Sequence, residues 1–167
     1  VICDVSKSMD LYSQFLIQFL YAFQYIFRSI ETFIFSSSIY RVTPYLKDHE
    51  FREALALMGE EVVGWSGGTC IGSSLETLIS RYKPMINSHT YVLILSDGWD
   101  DGDLKTLEDS MRLIHRKANR IIWLNPLMAN PDFSPQTGGM KTALPYVDML
   151  HPCHNLESLS DFVATLK

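Results

Sequence analysis

Asp4, Ser6 and Ser8 stand at alternate positions in the opening stretch VICDVSKSMD, directly after an apolar run. Asp97 ends a second apolar run in TYVLILSDGWDDGD, and Thr69 lies between the two in GWSGGTCIG, whose glycines let the backbone turn tightly and approach a neighbour. These five residues offer only carboxylate and hydroxyl oxygens. Such donors suit a hard cation, and a small octahedral ion that keeps waters points to magnesium, or to manganese where it is available. Calcium would call for more carboxylates. Two carboxylates and three neutral hydroxyls leave the ion short of ligands and strongly electrophilic, so an Asp or Glu from another molecule would complete its shell. A lone Asp-x-Ser-x-Ser is as readily a helix start, with Ser8 or Asp10 as the cap, and a helix N-terminus opposes a cation. The ordered set of three separated segments is what argues for a metal site.

Three segments far apart in the chain meet only if their strands are neighbours. Hydrophobic period and turn residues predict strands at 1–5, 32–36, 39–43, 91–96 and 120–125, with a weaker one at 149–153. Helical patterns lie between them: 11–28, apolar nearly all round and so expected to be covered on most sides, then 50–62, 71–82 and 104–118, with 156–166 closing the chain. The very short turn between 32–36 and 39–43 makes that pair antiparallel, whereas strands that alternate with helices run parallel. The expected fold is α/β: a doubly wound, mostly parallel six-stranded sheet with one antiparallel edge strand. In open α/β sheets ligands bind outside the carboxyl ends of strands where the strand order reverses, and Asp4 and Asp97 both leave strands at such ends. Residues 125–140, NPLMANPDFSPQTGGM, carry three prolines and two glycines and read as a long functional or mobile loop.

The 167 residues fit a single domain, and a 47% hydrophobic, 20% charged composition is that of a globular core. A net charge of −5 argues against nucleic acid or an anionic membrane surface as the main partner. Cys3, Cys70 and Cys153 are odd in number and widely spaced, which suits a reducing compartment, so the expected location is cytoplasmic. The greasiest stretch, residues 15–27, is interrupted by Gln18 and Gln24 and falls short of the roughly 20 apolar residues a bilayer span needs. The chain starts without Met and inside a strand pattern, so we expect a fragment of a longer chain.

At these residues the chain resembles the von Willebrand factor A domain and its metal-ion-dependent adhesion site. DVSKS matches the Asp-x-Ser-x-Ser element, Thr69 the lone threonine, and Asp97 the last aspartate. The resemblance implies that Ser6, Ser8 and Thr69 touch the metal, with Asp4 and Asp97 acting directly or through water. It covers essentially the whole chain, residues 1–167. The stretches GWSGGTCIG, SDGWDDGD, RIIWLNPL and GGMKTALPYVDMLHPCHNLESL look like the CoxE-like bacterial branch, which is implied to work with a MoxR-type AAA+ ATPase in maturing metalloenzymes such as carbon monoxide dehydrogenase. The N-terminal region expected in that branch is not in this sequence. Function then reads as a non-catalytic, metal-dependent protein-interaction domain of an intracellular adaptor.

Rival chemistries are written in the same residues. Gly64, Ser66 and Gly68 satisfy Gly-x-Ser-x-Gly, and with Asp97 and then His151 or His154 the order is that of an α/β-hydrolase, which makes a serine esterase the alternative function. It leaves Asp4, Ser6, Ser8 and Thr69 unexplained. A phosphohydrolase with Asp4 as nucleophile lacks its acid, since Ser6 stands where a second carboxylic acid is needed. His151, Cys153 and His154 match no closed zinc spacing. Trp65 and Trp99 flank the metal segments and are candidate partner contacts, whereas Trp123 sits in a strand pattern as core. Arg112, His115, Arg116, Lys117 and Arg120 read as a solvated face.

Overall fold

A computed structural model describes residues 1–62 and 67–166. The chain runs β1 (Ile2–Asp4), α1 (Asp10–Ile26), β2 (Phe33–Phe35), β3 (Ile39–Arg41), α2 (Thr43–Asp48), α3 (Phe51–Glu61), α4 (Ile71–Arg81), β4 (Tyr91–Leu95), α5 (Leu104–His115), β5 (Arg120–Asn125), α6 (Gly138–Ala143), β6 (Met149–Pro152) and α7 (Leu156–Thr165). The six strands form one sheet in the order β3-β2-β1-β4-β5-β6. Only the edge pair β2–β3 is antiparallel; β1 pairs parallel with both β2 and β4, β4 with β5, and β5 with β6. From β1 the chain builds first toward one edge and then toward the other, so the order reverses between β1 and β4. The crevice outside their carboxyl ends is the place for a ligand.

Alternation along the strands divides the core between the two faces, because successive side chains point to opposite sides of a sheet. Cys3, Ile34, Leu93, Leu95, Ile122 and Leu124 pack with Leu16, Ile17 and Leu20 of α1 and with Leu159 and Phe162 of α7. Ile2, Phe33, Ile94, Ile121 and Trp123 pack with Ile71 and Leu75 of α4 and with Leu107 and Met111 of α5. Trp123 is fully buried, as its strand pattern implies. Its indole N–H donates to the Ser96 carbonyl at 2.8 Å, which ties the core to the strand end that carries Asp97.

Three expectations are corrected. Residues 11–28 are not covered on most sides: α1 buries one stripe, Leu16, Ile17, Leu20 and Phe23, against the sheet and leaves Leu11, Tyr25 and Ile26 exposed. The third strand stops at Arg41, two residues early. Pro44, at the first turn of α2, is pre-set for a helix, and the Thr43 hydroxyl turns back to Glu31 and Thr32 instead of continuing the ladder. Residues 125–140 are not one loop. The Asn125 side chain accepts from the Leu127 amide and opens a 3-10 turn, Pro126–Ala129, and Thr137 caps α6 by accepting from the Met140 amide at 3.2 Å.

Candidate metal centre

β1 ends where its side chains change from apolar to oxygen-bearing. The Ser6 amide turns onto Asp4 Oδ1 at 2.9 Å, the local ring that Asp favours at a chain reversal, and a 3-10 turn over Lys7–Met9 lifts Ser8 above the strand end. Ser6 Oγ and Ser8 Oγ lie 3.2 Å apart. The N-cap of α1 is Met9, which makes no side-chain cap hydrogen bond, so neither Ser8 nor Asp10 occupies the cap position that the helix-start reading gave them. From the neighbouring strand, Ser8 hydrogen-bonds the Asp97 carboxylate, whose Oδ1 also accepts from the Trp99 amide at 3.0 Å. Asp4, Ser6, Ser8 and Asp97 are therefore brought together. Thr69, 4% exposed, joins through its loop: the Lys7 amide donates to Gly67 O at 3.1 Å, and the Asp101 amide donates to Thr69 O at 2.8 Å.

Electrostatics set the two carboxylates apart from ordinary ones. Asp4 is fully buried and Asp97 is 3% exposed, and among the described residues no Lys, Arg or His forms an ion pair with either. Burial, offset by hydrogen bonds from Ser6 and Ser96 and reinforced by the charge of Asp97, pushes Asp4 up to about 6. Burial raises Asp97 as well, against the hydrogen bonds from Trp99 and Ser8. Two adjacent buried carboxylates without a basic partner are costly unless positive charge is supplied. A divalent cation supplies it, and the donor set of hydroxyls and carboxylates is of the hard type such ions take. The residues present fit magnesium or manganese.

Several residues that hold this site were missed by the sequence reading. Ser96 is fully buried, donates to Asp4 Oδ2 at 2.7 Å and accepts from the Gly98 amide at 3.0 Å. Asn125 donates to the Asp97 carbonyl at 3.0 Å from β5. Gly98 adopts φ +81°, open to glycine at little cost, and the Met140 side chain fills the space a Cβ would need. Thr137 Oγ1 donates to Gly98 O at 2.7 Å, so the segment read as a loose loop braces the site. Serine after an apolar strand was visible as a signal, but only the β1–β4 pairing shows that it faces Asp4.

The remaining candidates fall elsewhere. Trp65 and Ser66 lie outside the described residues. Trp99 is 60% exposed beside Asp97. His151 Nδ1 lies 2.9 Å from the carbonyl of its own neighbour Pro152, its ring rests on Phe162, and Cys153 is buried, all at the β6 edge of the sheet. Among the described residues no group of three or more His, Cys, Asp and Glu side chains is placed to hold a metal ion. The face with Arg112 and His115 is solvated as expected, Arg112 pairing with Asp109 and His115 Nδ1 lying 3.1 Å from the Tyr146 carbonyl.

Comparison with known proteins gives the same architecture. The mussel byssus proximal thread matrix protein 1 superposes with a TM-score of 0.64 at 16% identity, over 99% of this chain and 43% of that one. A von Willebrand factor type A protein from Catenulispora acidiphila gives 0.64 at 14% identity, over 99% and 40%. An aerotolerance-related membrane protein from Bacteroides fragilis gives 0.59 at 13%, over 98% and 93%. The chain thus spans less than half the length of the first two, and at these identities the likeness is one of fold. Among the described residues no helix is long and apolar enough to cross a membrane. Among curated proteins no sequence match is found. The family model for VWA domain containing CoxE-like proteins matches residues 1–159, nearly the whole chain and both strand ends that bear the oxygen cluster, and the chain belongs to that family.

Proposed function

We propose that this domain binds a partner protein through a magnesium or manganese ion held by Asp4, Ser6, Ser8, Thr69 and Asp97, and that it performs no catalysis. The observation that carries the reading is the pair of buried carboxylates, without an ion-pair partner among the described residues, bridged by two serine hydroxyls at the strand-order reversal. When bound, the ion supplies an electrophilic centre that accepts a carboxylate from another molecule. Asp4 and Asp97 supply the charge, while Ser6, Ser8 and Thr69 supply neutral oxygens that leave the centre electron-poor. Trp99, exposed at the rim, is a contact for the partner's surface, and Trp65 is a second candidate.

Membership of the CoxE-like family supports the finer version: a cytoplasmic adaptor that works with a MoxR-type AAA+ ATPase on a metalloenzyme client such as carbon monoxide dehydrogenase. Calorimetric titration of Mg²⁺ and Mn²⁺ into the wild type, Asp4→Ala and Asp4→Asn tests the site. We expect saturable binding by the wild type and at least about a tenfold loss in each variant. Undiminished affinity in variants that circular dichroism shows to be folded would remove the assignment.

A further inference from the structure

A hydroxyl in an irregular loop is only as well placed as the ties of that loop, and Thr69 has no strand or helix of its own. Both polar groups of its backbone go to one residue. The Thr69 amide donates to Asp101 Oδ2 at 3.2 Å, and the Thr69 carbonyl accepts from the Asp101 amide at 2.8 Å. One step on, the Ile71 amide, first in α4, donates at 3.0 Å to Asp100 Oδ1, which also accepts from the Gly102 amide at 3.0 Å. Cys70 gives α4 no side-chain cap, so the capping acceptor comes from the loop after β4. Gly68 follows from the same arrangement: a Cβ there would stand 3.2 Å from Asp101 Oδ2, tighter than an ordinary contact.

We propose that Asp101 is the positioning residue for Thr69, so that the loop that presents Asp97 also seats the threonine on the opposite side of the site. The inference rests on the metal-site reading given above. Asp101 acts through its hydrogen bond to the Thr69 amide, and Asp100, whose Oδ1 holds the start of α4, completes the clamp. Two loops that a flexible threonine would leave independent become one rigid rim.

Amide hydrogen exchange and calorimetry on the same proteins test this. In metal-free protein, Asp101→Ala should speed exchange of the Thr69 amide by about tenfold or more, whereas Asp101→Asn, which keeps an acceptor oxygen, should hold it near the wild-type rate. In the titration, Asp101→Ala should weaken Mg²⁺ binding roughly tenfold, Asp101→Asn should restore it, and Asp101→Ala combined with Thr69→Ala should be no weaker than Thr69→Ala alone. Unchanged Thr69 exchange in Asp101→Ala would overturn the clamp whatever the metal does. Equal loss in Asp101→Asn and Asp101→Ala would also overturn it, by assigning the effect to charge. A wild type that binds neither ion, with Thr69 exchange still sped by Asp101→Ala, would instead remove the metal reading and leave the clamp standing.

Discussion

Ser96 shows how much of the site depends on one hydroxyl outside the ligand set. It is buried between Asp4 Oδ2, to which it donates, and the Gly98 amide, from which it accepts. Removing it leaves one oxygen of a buried carboxylate and one amide without their partner, and an unsatisfied buried polar group costs about 1–3 kcal/mol. Ser96→Ala should therefore lower unfolding stability by that order in urea denaturation. It should also weaken Mg²⁺ binding by roughly tenfold or more, because partners that orient a ligand are nearly as important to affinity as the ligand. A variant with wild-type affinity would show that Asp4 is oriented by the Ser6 amide alone. The five proposed ligands were all legible as residue types at telling positions, since the chemistry of Asp-x-Ser-x-Ser needs no coordinates to read. Ser96, Asp100, Asp101 and Asn125 were not, because each acts across strands or loops whose adjacency only the fold supplies.

At the scale of elements, the β3 edge of the sheet is held by polar chemistry at the end away from the oxygen cluster, beside the start of β1. β3 has three residues, none of them fully buried, and its Arg41 donates to Glu31 through Nε at 2.8 Å and through Nη2 at 3.0 Å. Thr43 Oγ1 donates to the same carboxylate at 2.7 Å and accepts from the Thr32 amide at 2.8 Å, so β2, β3 and α2 meet at Glu31. Partial burial opposes the charged form of Glu31, but the Arg41 and Thr43 hydrogen bonds outweigh it, and its carboxyl is held below the usual range. A depressed folded-state value means stability that is present above the unfolded value and lost as pH falls through the folded one. The stability gap between wild type and Glu31→Gln should thus be open at neutral pH and close on acidification below the ordinary glutamate range, read as urea midpoints at both pH values. A gap that persists in acid would assign the effect to packing. The long strands and amphipathic helices were legible because their apolar period is strong: Arg120–Asn125 is met at both ends. α2 and α6 were not, since TPYLKD and GGMKTA are six residues each and begin with residues that in isolation read as turn.

Across the whole molecule, four of the eight large exposed apolar side chains among the described residues lie at the end of the sheet that holds the oxygen cluster. Leu11 near the start of α1, Trp99 in the loop after β4, Leu104 opening α5 and Leu156 opening α7 are 90%, 60%, 41% and 74% exposed, and each lies just past the carboxyl end of a strand. A charged centre with apolar side chains at the same end of the sheet suits a protein-binding surface, in which a polar anchor is shielded from water by apolar neighbours. Two separable effects follow for capture of a purified MoxR-type AAA+ ATPase, the partner proposed above. Asp97→Ala should abolish capture and EDTA should do the same to the wild type, because both remove the anchor. Trp99→Ala should weaken capture by roughly tenfold or more while Mg²⁺ affinity by calorimetry stays unchanged, because the indole shields the anchor without building it. Trp99 and Asp97 are two residues apart and joined by the Trp99 amide's bond to Asp97 Oδ1, so a general disturbance of the loop would lower both readouts together. Capture indifferent to EDTA, or equal for wild type and a folded Asp97→Ala, would place the docking surface away from the metal and leave the apolar rim to another partner.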